Sequence, residues 1–111
     1  MLAINYYYSI ESPSPPKNIT TMRSIANDNV SVILEWNPPS DNGGAPITNY
    51  QLFINASEVL RSNVTMVTIV LDLEEDYLIQ VRAINCAGES DNASLSIFTG
   101  MLNPFNWAYY I

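Results

Sequence analysis

Along the middle of this 111-residue chain, apolar and polar residues alternate with a period of two, the spacing that turns one row of a β-strand toward a core. The cleanest run is Val30, Val32, Leu34 and Trp36, with Ser31 and Glu35 between them and Ile33 as an apolar break in the outward row. Pro38-Pro39 stops this strand, because proline brings no N–H to a ladder. Asp41-Asn42-Gly43-Gly44 then supplies a turn that tolerates positive φ. A second strand opens near Ile47 and carries Tyr50, Leu52 and Ile54 on one face, and another carries Val67, Ile69 and Leu71. The longest alternation sets Tyr77, Ile79, Val81, Ala83 and Asn85 against Leu78, Gln80, Arg82 and Ile84. A last strand ends near Thr99-Gly100, with either Leu95 and Ile97 or Ser96 and Phe98 facing inward. No helical period persists over three turns between Lys17 and Gly100. The pattern predicts an all-β fold, a seven-stranded antiparallel β-sandwich with one shared core.

Composition fits a single folding unit with flanks. The chain is 48% hydrophobic and 14% charged, enough apolar surface to fold. A domain this small buries roughly 60–65% of its unfolded surface, so the core between the sheets supplies most of the stability. Residues 1–12 read as an N-terminal flank, and Ser12-Pro13-Ser14-Pro15-Pro16 as a stiff, extended linker. The domain proper is expected over 13–100, followed by a C-terminal aromatic flank over 101–111. Tyr6, Tyr7 and Tyr8 at one end, and Phe105, Trp107, Tyr109 and Tyr110 at the other, read equally as contacts to neighbouring modules or as frayed ends.

Charge narrows the partners. Eleven acidic residues against four basic ones (Lys17, Arg23, Arg61, Arg82) leave a net charge of −7, which repels phosphate and anionic lipid alike. Nucleic acid is therefore not an expected partner. No stretch approaches the roughly 20 apolar residues of a membrane span, so no direct membrane insertion is expected. Met1 to Ile10 lacks a positively charged lead, and no export signal is visible in it; an extracellular protein carrying this chain would be longer than it.

Catalytic chemistry finds few residues to work with. Histidine is absent, which removes Ser/His/Asp and Cys/His arrangements and histidine-based metal sites. No Gly-rich loop runs into Lys-Ser/Thr, so no phosphate-cradling loop is present. An enzyme is not expected, nor is a cofactor. Asp72, Glu74, Glu75 and Asp76 crowd one turn, but the spacing of a calcium loop, with its glycine and bidentate glutamate, is missing. The acids are expected to form a solvated turn rather than a calcium site. Cys86 follows inward-facing Asn85, so it is expected to point outward as a tolerated free thiol, an intermolecular disulfide being the other reading.

With those residues in place, the segment from about Pro13 to Gly100 resembles a fibronectin type III domain. Trp36 resembles the family's core tryptophan, and Pro38-Pro39 with Gly43-Gly44-Ala45-Pro46-Ile47-Thr48-Asn49-Tyr50 resembles the loop and strand start that follow it. Leu71 and Tyr77 resemble the leucine and tyrosine of the corner, where the phenol ties a turn to nearby backbone. Val81 to Ser90 is similar to the family's penultimate strand and the loop after it. The turn at Leu73-Glu74-Glu75 departs from the Pro-Gly-Thr often found there, and no Arg-Gly-Asp occurs.

The resemblance implies an immunoglobulin-like sandwich with Trp36, Tyr50, Leu71, Tyr77, Val81 and Ala83 as structural residues. It also implies recognition through two loops. One runs from Pro38 to Ala45, with Ser40, Asp41, Asn42, Gly43 and Gly44; the other runs from Cys86 to Asp91, with Ala87, Gly88, Glu89 and Ser90. The function expected is a non-catalytic protein-interaction or adhesion module, one bead of a multidomain extracellular or receptor protein. A cytoplasmic filament module and an accessory domain of a larger enzyme or receptor are the other readings.

Five Asn-X-Ser/Thr sequons begin at Asn18, Asn29, Asn55, Asn63 and Asn92. An Asn- and Ser-rich chain generates sequons freely, so placement says more than number. Each falls in a predicted turn, near a strand end or in an edge strand, where a glycan can be accommodated.

Overall fold

Residues 9–26 and 28–100 are described by a computed structural model of the chain. In them the two-residue period becomes eight strands: β1 (Lys17–Ala26), β2 (Asn29–Asn37), β3 (Asn49–Ile54), β4 (Ser57–Ser62), β5 (Met66–Asp72), β6 (Asp76–Asn85), β7 (Gly88–Glu89) and β8 (Ala93–Phe98). One sheet runs β1-β2-β5, and the other runs β4-β3-β6, with both β7 and β8 paired to β6. All pairings are antiparallel. The expected last strand is β8, and the eighth strand, β7, falls inside the expected loop from Cys86 to Asp91. Ile84 pairs with Glu89 and Val81 with Ala93, and between them Ser90 stands in for the ladder. Its N–H donates to the Ala83 carbonyl at 2.8 Å, and its Oγ accepts the Ala83 N–H at 2.8 Å.

The core lies between the sheets. Val30, Val32, Leu34, Trp36, Ile69 and Leu71 come from the first, and Tyr50, Leu52, Ile79, Val81, Ala83 and Ile97 from the second. Ile97 is buried while Phe98 is 48% exposed, which fixes the register of β8 as Leu95 and Ile97 inward. Trp36 is 1% exposed and meets the Tyr50 ring edge-on at 5.4 Å and 68°. Its Nε1–H finds no acceptor among the described residues, so the indole acts by filling space.

Two local solutions close the lower end of the sandwich. The β3–β4 connection is the two-residue turn Asn55-Ala56 with φ of 51° and 68°, the left-handed pair whose twist suits a hairpin. At the β5–β6 turn the Tyr77 hydroxyl accepts the Asp72 N–H at 3.1 Å, tying the corner to backbone. Thr99, 1% exposed, donates its hydroxyl to the Asp72 carbonyl at 2.6 Å, and that hydroxyl accepts the Glu75 N–H at 3.0 Å. Glu74 at φ 61° takes the left-handed position that glycine fills more cheaply, which is how Leu73-Glu74-Glu75 makes this turn without Pro-Gly-Thr. Across the open side of the sandwich, Arg23 Nη1–H donates to the Phe98 carbonyl at 2.6 Å and links β1 to β8.

Candidate functional site

The β2–β3 loop and the β6–β7 turn meet at the upper end, and one buried side chain joins them. Asn85, 3% exposed, donates Nδ2–H to the Asn42 carbonyl at 2.8 Å and to the Glu11 carbonyl at 2.7 Å. Its Oδ1 accepts the N–H of Ala87 at 2.8 Å and of Gly88 at 3.2 Å. Both amide donors and the carbonyl are thereby engaged, as a buried amide requires.

Glu11 is the surprise in that set, since it belongs to the N-terminal flank. Residues 9–16 run along the β2–β3 loop as a strap: Glu11 N–H donates to the Gly43 carbonyl at 2.8 Å and Ser14 N–H to the Asp41 carbonyl at 2.9 Å. The Asp41 N–H donates back to Ser14 Oγ at 3.1 Å, and Pro13 and Pro16 are buried beneath. A Cβ added at Gly43, where φ is 77°, would overlap the Glu11 carbonyl oxygen. Only glycine lets the strap approach this closely. The loop is itself stiffened, because Asp41 Oδ1 accepts the Gly43 N–H at 2.8 Å and Asn42 Oδ1 the Gly44 N–H at 2.9 Å.

The two predicted loops are therefore neighbours, but the strap fills the space between them. Ser40, Asp41, Asn42, Gly44, Ala87 and Glu89 remain exposed, while Gly43 and Gly88 are half-buried. Ser90 is 7% exposed and serves the ladder. Cys86 is an exposed free thiol on the turn. The sequon asparagines Asn18, Asn29, Asn55, Asn63 and Asn92 are all exposed. Among the described residues no group of three or more His, Cys, Asp or Glu side chains could hold a metal, and the acids of the β5–β6 turn spread outward. No helix long and apolar enough to cross a membrane occurs among them either.

A second surface was not foreseen from the sequence. On the outer face of the larger sheet a hydrogen-bonded row crosses four strands. Arg61 Nε–H donates to Glu58 at 2.8 Å, Gln51 Nε2–H donates to the same carboxylate oxygen at 2.7 Å, and Arg82 Nε–H donates to Gln51 Oε1 at 2.6 Å. Arg82 also reaches Glu89 at 3.5 Å and lies over the Phe53 ring at 4.8 Å. The hydrogen bond from Gln51, then that from Arg61, holds the Glu58 carboxyl below its ordinary 4.5. Its members stand at 51, 58, 61, 82 and 89, and only the cross-strand register brings them together.

A sandwich of two antiparallel sheets around one tryptophan, with loops gathered at its ends, is an immunoglobulin-like module. The chain belongs to the fibronectin type III domain family, whose sequence profile matches residues 14–99. Domains of this family are generally non-catalytic. Titin of Drosophila melanogaster is 30% identical over 91 residues, covering 74% of this chain and, to the nearest per cent, 0% of that protein. The twitchin kinase region from C. elegans is 26% identical with a TM-score of 0.68, over 80% of this chain and 17% of that one. The solution structure of a human fibronectin type III domain superposes with a TM-score of 0.72 at 21% identity, over 93% of this chain and 92% of that one.

Proposed function

We propose that the domain is a non-catalytic bead of a multidomain chain, a spacer that also offers protein-binding surface. The strap carries this reading: the segment that leads into the sandwich is bonded to it at Glu11 and Ser14 and clamped by Asn85, so an upstream module would be held at a set distance and angle. The likeness to fly titin and to the twitchin region, both far longer than this chain, supports a place in an array. Exposed Ser40, Asp41, Asn42, Gly44, Ala87 and Glu89 form the recognition end, and a protein is the partner their small polar surface suits. Catalysis, nucleic acid and calcium have no part in it.

An extracellular or cell-surface setting is supported by the five exposed sequon asparagines. The second reading, a cytoplasmic filament module, is favoured by the titin and twitchin likeness. Glycosidase treatment of the native protein separates them. The extracellular setting predicts a mass that falls on treatment; a native mass that does not change removes the sequons' support for it and favours the filament module.

A further inference from the structure

At the lower end of the larger sheet's outer face, a sequon asparagine borders an apolar hollow. The hollow holds about 490 Å³, within the roughly 300–1,000 Å³ of sites that take small molecules, and Asn55, Asp76, Leu78, Ser96 and Phe98 line it. Leu78 is 38% exposed and Phe98 48%. The Phe98 ring packs on Gly100, where an added Cβ would overlap it, so this wall has little room to turn away. Asn55 opens the β3–β4 turn with half of its amide in use. Its Oδ1 accepts the Leu78 N–H at 2.9 Å, while Nδ2 has no acceptor among the described residues. Ser57, the third residue of this sequon, is exposed as well. The hollows beside β1 and β4 have no sequon asparagine in their walls.

We infer that Asn55 carries an N-linked glycan whose first sugar, an N-acetylhexosamine, lies in this hollow over Leu78 and beside Phe98. The inference rests on the extracellular reading, since attachment requires passage through a secretory lumen. Attachment is a substitution at C1 of an oligosaccharide carried on a lipid pyrophosphate. The C1–O bond to pyrophosphate breaks, the Nδ2–C1 bond forms, and one amide proton leaves with the pyrophosphate. Oδ1 keeps its place through that exchange, so its bond to Leu78 survives and holds the amide, and with it the sugar, to one direction. Leu78 pairs with Ser96 across β6 and β8, and Asp76 pairs with Phe98 two places along. A sugar ring presents C–H groups on its faces and hydroxyls on its rim. Leu78 and Phe98 suit the faces, and the Ser96 hydroxyl and Asp76 carboxylate suit the rim. Charge selects the same class, because a chain at −7 repels an anion from this hollow and leaves a neutral sugar untouched. The covalent tether does the rest: a contact too weak to capture a free sugar suffices for one held at the rim.

The full chain, secreted from cultured cells behind a leader and trimmed by endoglycosidase to one sugar per site, is to be compared with the same chain from bacteria. Peptide mass mapping should find Asn55 occupied. Nuclear Overhauser contacts should join its sugar to the Leu78 methyls and the Phe98 ring. Glycosylation should raise the urea midpoint by about 0.3 M more in the unaltered chain than in Ser57→Ala, which loses the sequon but keeps Asn55. Phe98→Ala should lose the same increment; if it does not fold, the Overhauser contacts of the unaltered chain decide. An empty Asn55 overturns the inference, as does a sugar without contacts to Leu78 and Phe98, an increment that Ser57→Ala keeps, or a hollow filled by another segment of the chain. The native protein under glycosidase tests the setting and the secreted chain tests the seat, so either can fail without the other.

Discussion

The two outer faces of this sandwich cover the same core and are built on opposite terms. The larger sheet crosses its surface with the row Arg61–Glu58–Gln51–Arg82–Glu89, which ties four strands by side chains as well as by backbone. The smaller sheet presents Met22, Ile33, Met66 and Val70, and among the described residues its outward rows carry no such side-chain bonds, so its surface costs little to alter. One face spends its side chains on internal order, and Gln51 is only 4% exposed although it sits on the outside. The other leaves apolar area in water, which is the usual sign of a surface with something to meet.

Removing what the faces share should produce the largest effect. Trp36→Ala should destabilise the domain by about 3–5 kcal/mol, enough to leave it largely unfolded. Trp36→Phe should cost visibly less, because the indole N–H has no bond to lose. Urea titration followed by circular dichroism checks both. If alanine costs under about 1 kcal/mol, the core does not unite the faces. Next in size is the contrast between the faces themselves. Gln51→Ala should cost about 1–2 kcal/mol, since it strips partners from both Glu58 and Arg82. Ile33→Thr on the other face should stay within about 0.5 kcal/mol. Equal losses would erase the distinction.

The smallest effect is a dependence on pH carried by one face. Glu58 titrates below its ordinary 4.5 in the folded chain, so its contribution is complete above about 4.5 and is lost as pH falls through the lower folded value. The sign follows from the carboxylate being the form that Gln51 and Arg61 bond. Acidification from about pH 6 to about pH 3.5 should lower the urea midpoint less in Gln51→Ala than in the unaltered chain. Parallel curves would show that the row does not govern this carboxylate.

How much of this was legible beforehand depended on the distance over which residues act. The β2 alternation and the Trp36 position are local, and they sufficed for the sandwich. β1 was not readable in the same way, because its inward row contains Thr21 and Arg23, opposite Leu34 and Val32, and so breaks the period. An edge strand needs less apolar cover, and Arg23 instead reaches the Phe98 carbonyl. The β8 register was open because Leu95, Ile97 and Phe98 fit either face until pairing with β6 decided it. Asn85 was legible as inward-facing, yet its partners Glu11, Asn42 and Gly88 are spread over most of the chain. The strap was invisible for that reason: a proline-rich stretch announces extension, not what it lies against.

That strap bears on how the domain answers a pull. Tension from upstream arrives first at the Glu11–Gly43 bond and the Asn85 amide, then at Ser14–Asp41, and only afterwards at the paired strands. Peeling residues 11–14 would lengthen the tether by on the order of 10 Å while the interior stays shut. A short releasable length of chain thus sits in series with a stiff body, and both come from one polypeptide.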